Sequence, residues 1–275
     1  MKRYLWIFAV LPFLWSCIAE DRSACPQPRG VSVRMSVCPD PMTAVTHAAD
    51  EEAIRDLNLY LLDADRNVVL HRYQSSPTLR FECLPGDYLL RIAANMGRDT
   101  GDSPAWENLA VTHADDYDTL PMAYEGEVSI PSSDETVTLP TVEVQRVVAK
   151  VTYNISVAPD AGDIRLHSVQ PVNLPARMPV FDPGLRAAEY TAGEIVGSSS
   201  QTLTGTFYML PNLQGEVPSI ADQRDKGPAN APADATFLRI RALRGSKVLD
   251  YYIYPGGNNT SNFDIRANTH YRLDI

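Results

Sequence analysis

Short apolar runs of strand length, broken by turns bearing proline and glycine, constrain this chain most. Gly30-Val31-Ser32-Val33-Arg34-Met35-Ser36-Val37 alternates strictly, so Val31, Val33, Met35 and Val37 share one face of a first strand. Residues 57–62 and 67–70 flank Asp63-Ala64-Asp65-Arg66, which predicts a hairpin. Residues 78–83 and 88–93 bracket a turn at Leu84-Pro85-Gly86-Asp87, and residues 125–130 and 136–139 read as two more strands. Only residues 51–55 and 102–109 look able to form brief helices. Residues 141–157 make one long β-prone segment whose phase slips at Arg146, which predicts a bend or a domain crossing. Further strands are expected at 164–172, 202–210, 236–243, 247–254 and 268–275, with a loop at 222–234 too polar to bury. Strands at this spacing, without alternating helices, predict an all-β chain of two consecutive antiparallel β-sandwich domains, 29–145 and 146–275.

Composition agrees and removes some functions. With 21 Pro against 15 Gly, many short strands are favoured over long helices. A hydrophobic share of 44% is enough to bury a core in 275 residues. The formal net charge of −10 argues against nucleic acid as a partner, which would call for a basic stripe, and against docking on anionic lipid through a polybasic patch.

The N-terminus carries an address. Met1-Lys2-Arg3 precedes an apolar run over residues 5–15, interrupted only by Pro12 and too short to span a bilayer. It ends at Leu14-Trp15-Ser16-Cys17, which resembles the lipobox of bacterial lipoproteins. The expectation is a signal peptide over 1–16, lipidation of Cys17 through a thioether, and a tether over 17–28. The acyl chains would bury in a leaflet at about 0.8 kcal/mol per CH2. Glu20-Asp21 resembles the acidic export signal of surface lipoproteins of Bacteroidetes. With Cys17 set aside, Cys25, Cys38 and Cys83 remain, an odd number for an exported protein, and spacing does not choose a disulfide pair.

Four segments together resemble one family. Cys17-Ile-Ala-Glu-Asp-Arg-Ser-Ala-Cys-Pro26 is similar to the mature start of fimbrillin-associated anchor lipoproteins of Bacteroidetes type V pili. Arg146-Val-Val-Ala-Lys-Val-Thr-Tyr-Asn-Ile155 resembles the segment that opens the second domain in that superfamily. Phe207-Tyr-Met-Leu-Pro-Asn-Leu-Gln-Gly215, and Tyr254-Pro-Gly-Gly-Asn-Asn-Thr260 followed by residues 266–275, resemble its second-domain signatures. The resemblance implies two transthyretin-like domains and assembly with fimbrial shaft subunits by strand complementation, a groove lacking one strand accepting a neighbour's. In shaft subunits an arginine-directed protease removes the first strand. Here residues 38–54 contain neither Arg nor Lys, so the strand of Val31, Val33, Met35 and Val37 is expected to stay, as a base anchor at the outer membrane requires. A tip or accessory adhesin subunit is the alternative, and residues 268–275 could themselves be a donated strand.

Site chemistry is sparse. Asp63-x-Asp65-x-Asn67 begins like a calcium loop, but Val68 replaces the glycine and Gln74 the bidentate glutamate, so a polar turn is expected. The five histidines stand singly, and no Gly-x-Ser-x-Gly elbow occurs. Neither catalysis, metal nor cofactor is expected. A surface glycan-binding lipoprotein is a competing reading, resting on Trp106 and on Tyr251-Tyr252-Ile253-Tyr254, which reads first as a strand with Tyr252 and Tyr254 on one face.

Overall fold

A computed structural model describes residues 29–41, 49–182 and 184–275. The expected signal peptide, Cys17, the tether and Cys25 lie outside the described residues. Among those described the chain is all-β, with no α-helix.

The first half carries β1 (Val31–Pro39), β2 (Leu57–Leu62), β3 (Val68–Gln74), β4 (Thr78–Cys83), β5 (Gly86–Ala94), β6 (Ala110–Thr112), β7 (Met122–Ile130), β8 (Val137–Thr138) and β9 (Val142–Arg146). They hydrogen-bond in the order β3-β2-β5-β7-β9-β1-β4, with β8 also on β1. The expected β2–β3 hairpin forms, closed by an Asx turn: Asp63 Oδ1 accepts from the backbone N–H of Asp65 (3.0 Å) and Asn67 (2.8 Å), and Arg66 takes φ 64°. The carboxylate that could have begun a calcium loop is thus turned onto its own backbone. The turn after β4 passes between pairings, because β4 pairs β1 while β5 pairs β2 and β7.

The second half carries β10 (Ala149–Ser156), β11 (Ile164–Pro175), β12 (Arg177–Pro179), β13 (Tyr190–Ala192), β14 (Val196–Gly197), β15 (Thr202–Met209), β16 (Phe237–Arg244), β17 (Lys247–Ile253) and β18 (His270–Asp274). These form a β15-β10-β18 sheet and a β13-β11-β16-β17 sheet, with β14 also on β11. Tyr153, Ile155, Leu166, Val169, Leu238 and Ile240 fill the space between them. As the alternation predicts, Tyr252 and Tyr254 gather round Phe237, at 5.5 and 5.3 Å between ring centroids, while Tyr251 is exposed.

Three expectations are corrected. The sheets are not purely antiparallel: β1 runs parallel to β8 and β9, and β18 parallel to β10. In each case the strands come from distant parts of the chain, whereas the tight turns read from sequence join antiparallel neighbours. Residues 102–109 form turns rather than a helix, and the helix expected at 51–55 is a single 3-10 turn, Ala49–Glu52. Lys226, within the loop expected to stay in water, is buried. Its ammonium donates to the carbonyls of Asn258 (2.7 Å) and Asn262 (2.8 Å), and burial lowers its pKa to about 8.

Among the described residues one strand pair joins the halves. β6 pairs antiparallel with β12, over a shared core of Leu109, Val111 and Leu120 with Val148, Met178 and Leu210.

Candidate strand-acceptor groove

β1 lies between two neighbours along its length. Residues 31–36 pair antiparallel with β4, while Val33 and Arg34 pair with β8, and residues 37–39 with β9. Alternation puts Val31, Val33, Met35 and Val37 on the buried face, each 5% exposed or less, and turns Ser32 and Arg34 to solvent. Val33, Met35 and Val37 pack with Leu59, Leu79, Phe81 and Ile92 in the main core of the first half. At about 1.5–3 kcal/mol per fully buried apolar side chain, the four contribute roughly 6–12 kcal/mol, an upper bound. Removing β1 would open an apolar trough bounded by β4 on one side and β8–β9 on the other.

The residues that follow β1 are held by a buried polar cluster. β9 ends at Arg146 and β10 begins at Ala149, and residues 146–151 are buried without a break. Charges inside such a run need partners. The Arg146 guanidinium, 1% exposed, donates to the carbonyls of Glu51 (Nε, 3.0 Å) and Asp40 (Nη1, 2.7 Å) and to Asn268 Oδ1 (3.2 Å). Lys150 Nζ lies 2.6 Å from Glu51 Oε1, both side chains less than a tenth exposed. The Tyr208 hydroxyl donates to the same oxygen. Asn268, at φ 51°, donates to Asp40 Oδ2 (3.0 Å) and through its backbone N–H to Val148 O (3.0 Å). Burial pushes the Glu51 pKa up, but hydrogen bonds from Lys150 and Tyr208 outweigh it and hold the carboxyl below its ordinary value. Burial first, and the Glu51 carboxylate second, raise the Tyr208 phenol.

Sequence reasoning placed Arg146 at a bend and Glu51 in a short helix but did not bring them together. The available signal was chemical: Arg146 and Lys150 interrupt a run of Val and Ala that can otherwise be buried on both faces. Nothing local reveals that Asp40, Glu51, Tyr208 and Asn268 converge on them, since up to 228 positions separate the partners.

The cysteines are partly resolved by register. Val31 stands opposite Cys83 and Ser36 opposite Thr78, so Cys38 lies about seven residues along the ladder from Cys83, roughly 20 Å. That exceeds the reach of a disulfide, and both thiols are free.

Trp106 is occupied by its own protein. It meets Tyr60 and Phe181 edge to face, at 5.1 and 5.6 Å between centroids, and the Arg91 guanidinium sits 4.4 Å from its ring centroid. A sugar would have to displace that cation from the ring. The ring of His113, just past β6, is buried, its Nε2 3.7 Å from Asp115 Oδ1, and burial lowers its pKa although the Asp115 carboxylate opposes the shift. Among the described residues no group of three or more His, Cys, Asp or Glu is placed to hold a metal ion.

The segment expected either to close the last sheet or to be donated is docked at home. β18 pairs parallel with residues 150–154 of β10, and Ser156 N–H donates to Ile275 O at 2.8 Å.

Residues 207–275 match a family model described as a domain of unknown function, DUF4906. No curated protein matches the chain by sequence. Solved structures match it in fold. The tip fimbrial protein Mfa3 from Porphyromonas gingivalis, with a C-terminal truncation, is 14% identical with a TM-score of 0.64, covering 90% of this chain and 94% of that one. The fimbrilin FimA of the same organism is 13% identical with a TM-score of 0.58, covering 88% of each chain. A fimbrial assembly protein from Parabacteroides distasonis is 13% identical with a TM-score of 0.53, covering 90% and 91%. At these identities the likeness is one of fold.

Proposed function

We propose that this protein is a lipid-anchored subunit of a type V fimbria, and specifically the base anchor that joins the shaft to the outer membrane at the cell surface. In this reading its two halves are the two transthyretin-like sandwiches of a fimbrial subunit. Fimbrial proteins of known structure share its fold over about nine-tenths of the chain, which supports the general assignment. The observation that carries the finer one is β1. It is paired on both sides, it supplies core side chains, and the residues that follow it are gripped by Arg146, Lys150 and Tyr208. A subunit with that trough filled does not accept a neighbour's strand there, so it terminates a polymer. Acyl chains on Cys17 hold it in the leaflet, and the work it does is mechanical rather than catalytic.

Three measurements test this. Wild type should fractionate with outer membranes and co-purify with a pilus shaft, and Cys17→Ser should release both into the soluble fraction. An arginine-specific protease applied to folded protein should leave β1 covalently attached. Clean excision of β1 from a folded, soluble remainder would overturn the anchor reading, and immunogold label at fimbrial tips rather than bases would reassign the subunit to the tip.

A further inference from the structure

A second groove opens beside the trough that β1 fills. β7 and β9 pair only at Met122↔Arg146 and Ala123↔Gln145, and past Ala123 the β7 edge has no strand neighbour among the described residues. The facing arm, β8 and the first residues of β9, pairs with β1 on its other side. Between the two arms lies a groove of about 640 Å3 floored by Met35 and Leu90 and walled by Tyr124, Val128, Leu139 and Val142. The walls are only half-buried, although they pack on the main core.

Register fixes what the β7 edge offers. Val147 N–H donates to Pro121 O (2.9 Å) across the Met122↔Arg146 pair, so Ala123 directs its N–H and C=O toward β9. By alternation the backbone groups of Glu125, Glu127 and Ser129 point the same way, into the groove, while those of Tyr124, Gly126 and Val128 bond β5. Unpaired donors and acceptors above an apolar floor are the elements of strand addition. The rim chooses the charge. Glu125, Glu127 and Glu143 line the groove and are exposed, Glu125 being paired to Arg91, while the lining cation Arg146 is buried against the Asp40 carbonyl; the whole chain carries −10, which disfavours a second copy of itself as occupant.

We propose that this groove docks an extended segment of another protein, alternating apolar and basic side chains, as an added strand on the β7 edge. Apolar residues enter the groove and basic ones meet Glu127 and Glu143. The site is separate from the β1 trough and requires neither the lipid nor a place in a fimbria.

The probe is a fluorescent decapeptide alternating Val and Lys, with a Val and Glu decapeptide as its counterpart, each titrated against the full chain by anisotropy and hydrogen exchange. The Lys peptide should bind at least tenfold more tightly. It should slow exchange at least tenfold at the amides of Glu125, Glu127 and Ser129, which the missing ladder partner should leave fast in the chain alone. Glu127→Pro removes one groove-facing N–H without touching a β5 bond and should weaken binding at least tenfold. Should that variant not fold, the double variant Glu127→Gln, Glu143→Gln should weaken binding several-fold and flatten its salt dependence. Equal affinity for the two peptides, indifference to the double variant, or protection on β17 instead of β7 would each overturn the proposal. So would slow exchange at the three amides without peptide, meaning the chain fills its own groove, or self-association that Glu127→Pro abolishes.

Discussion

Glu51 is the residue on which the buried cluster turns. Its carboxylate takes the charge of Lys150 and the hydroxyl of Tyr208, and its backbone carbonyl takes Arg146. Truncating one member of a buried pair leaves the other uncompensated, so Glu51→Ala should cost about 3–5 kcal/mol in urea unfolding at pH 7. Glu51→Gln should cost less, because its amide oxygen still accepts. The folded pKa of Glu51 lies below its unfolded value, so the unfolded chain binds the proton first. Its stabilisation is complete above the unfolded carboxylate pKa, near 4.5, and is lost as pH falls through the folded one. The wild type should therefore lose more stability than Glu51→Gln between pH 5 and 3, and parallel pH profiles would show that the cluster is not the acid-sensitive element.

At the scale of the element, β1 separates burial from exposure residue by residue. Met35→Ala removes a side chain 1% exposed in the main core and should cost about 2–5 kcal/mol, whereas Arg34→Ala, on the solvent face, should stay within about 0.5 kcal/mol. Urea unfolding of the two variants checks this directly, and similar losses would mean that β1 does not sit in the core as described. The same alternation explains how β1 was legible in sequence: a period of two over Val31 to Val37 specifies a half-buried strand without reference to its partners. The β2–β3 hairpin was legible from its Asp-rich turn, and the break before β10 from the lost phase at Arg146. β6, β12, β13 and β14 were not. They are two or three residues long, below the length at which alternation is distinguishable from loop, and they exist because a distant partner supplies the ladder. The parallel pairings were hidden for the same reason. The second groove was hidden too, since it follows from β7 and β9 diverging after two residue pairs.

At the scale of the molecule the question is whether the two halves act as one body. They share a core around Val111, Val148 and Met178, the β6–β12 pair crosses between them, and Arg146 ties Asp40 and Glu51 of the first half to Asn268 of the second. These contacts bridge the two halves side by side, so strain in one half reaches the other through all of them. Interactions shared between two cores make their unfolding cooperative, and weakening them leaves each core intact but independent. The wild type should therefore melt in a single calorimetric transition. Met178→Ala opens a cavity in the shared core, and Arg146→Met strips donors from the two carbonyls it holds, at about 1–3 kcal/mol for each buried group left unpaired. The double variant should resolve into two transitions, the cores of Ile92 and of Ile240 exchanging hydrogen separately. A single transition shifted downward would place the coupling in contacts other than these, whereas two transitions already present in the wild type would mean that the halves are strung together rather than joined.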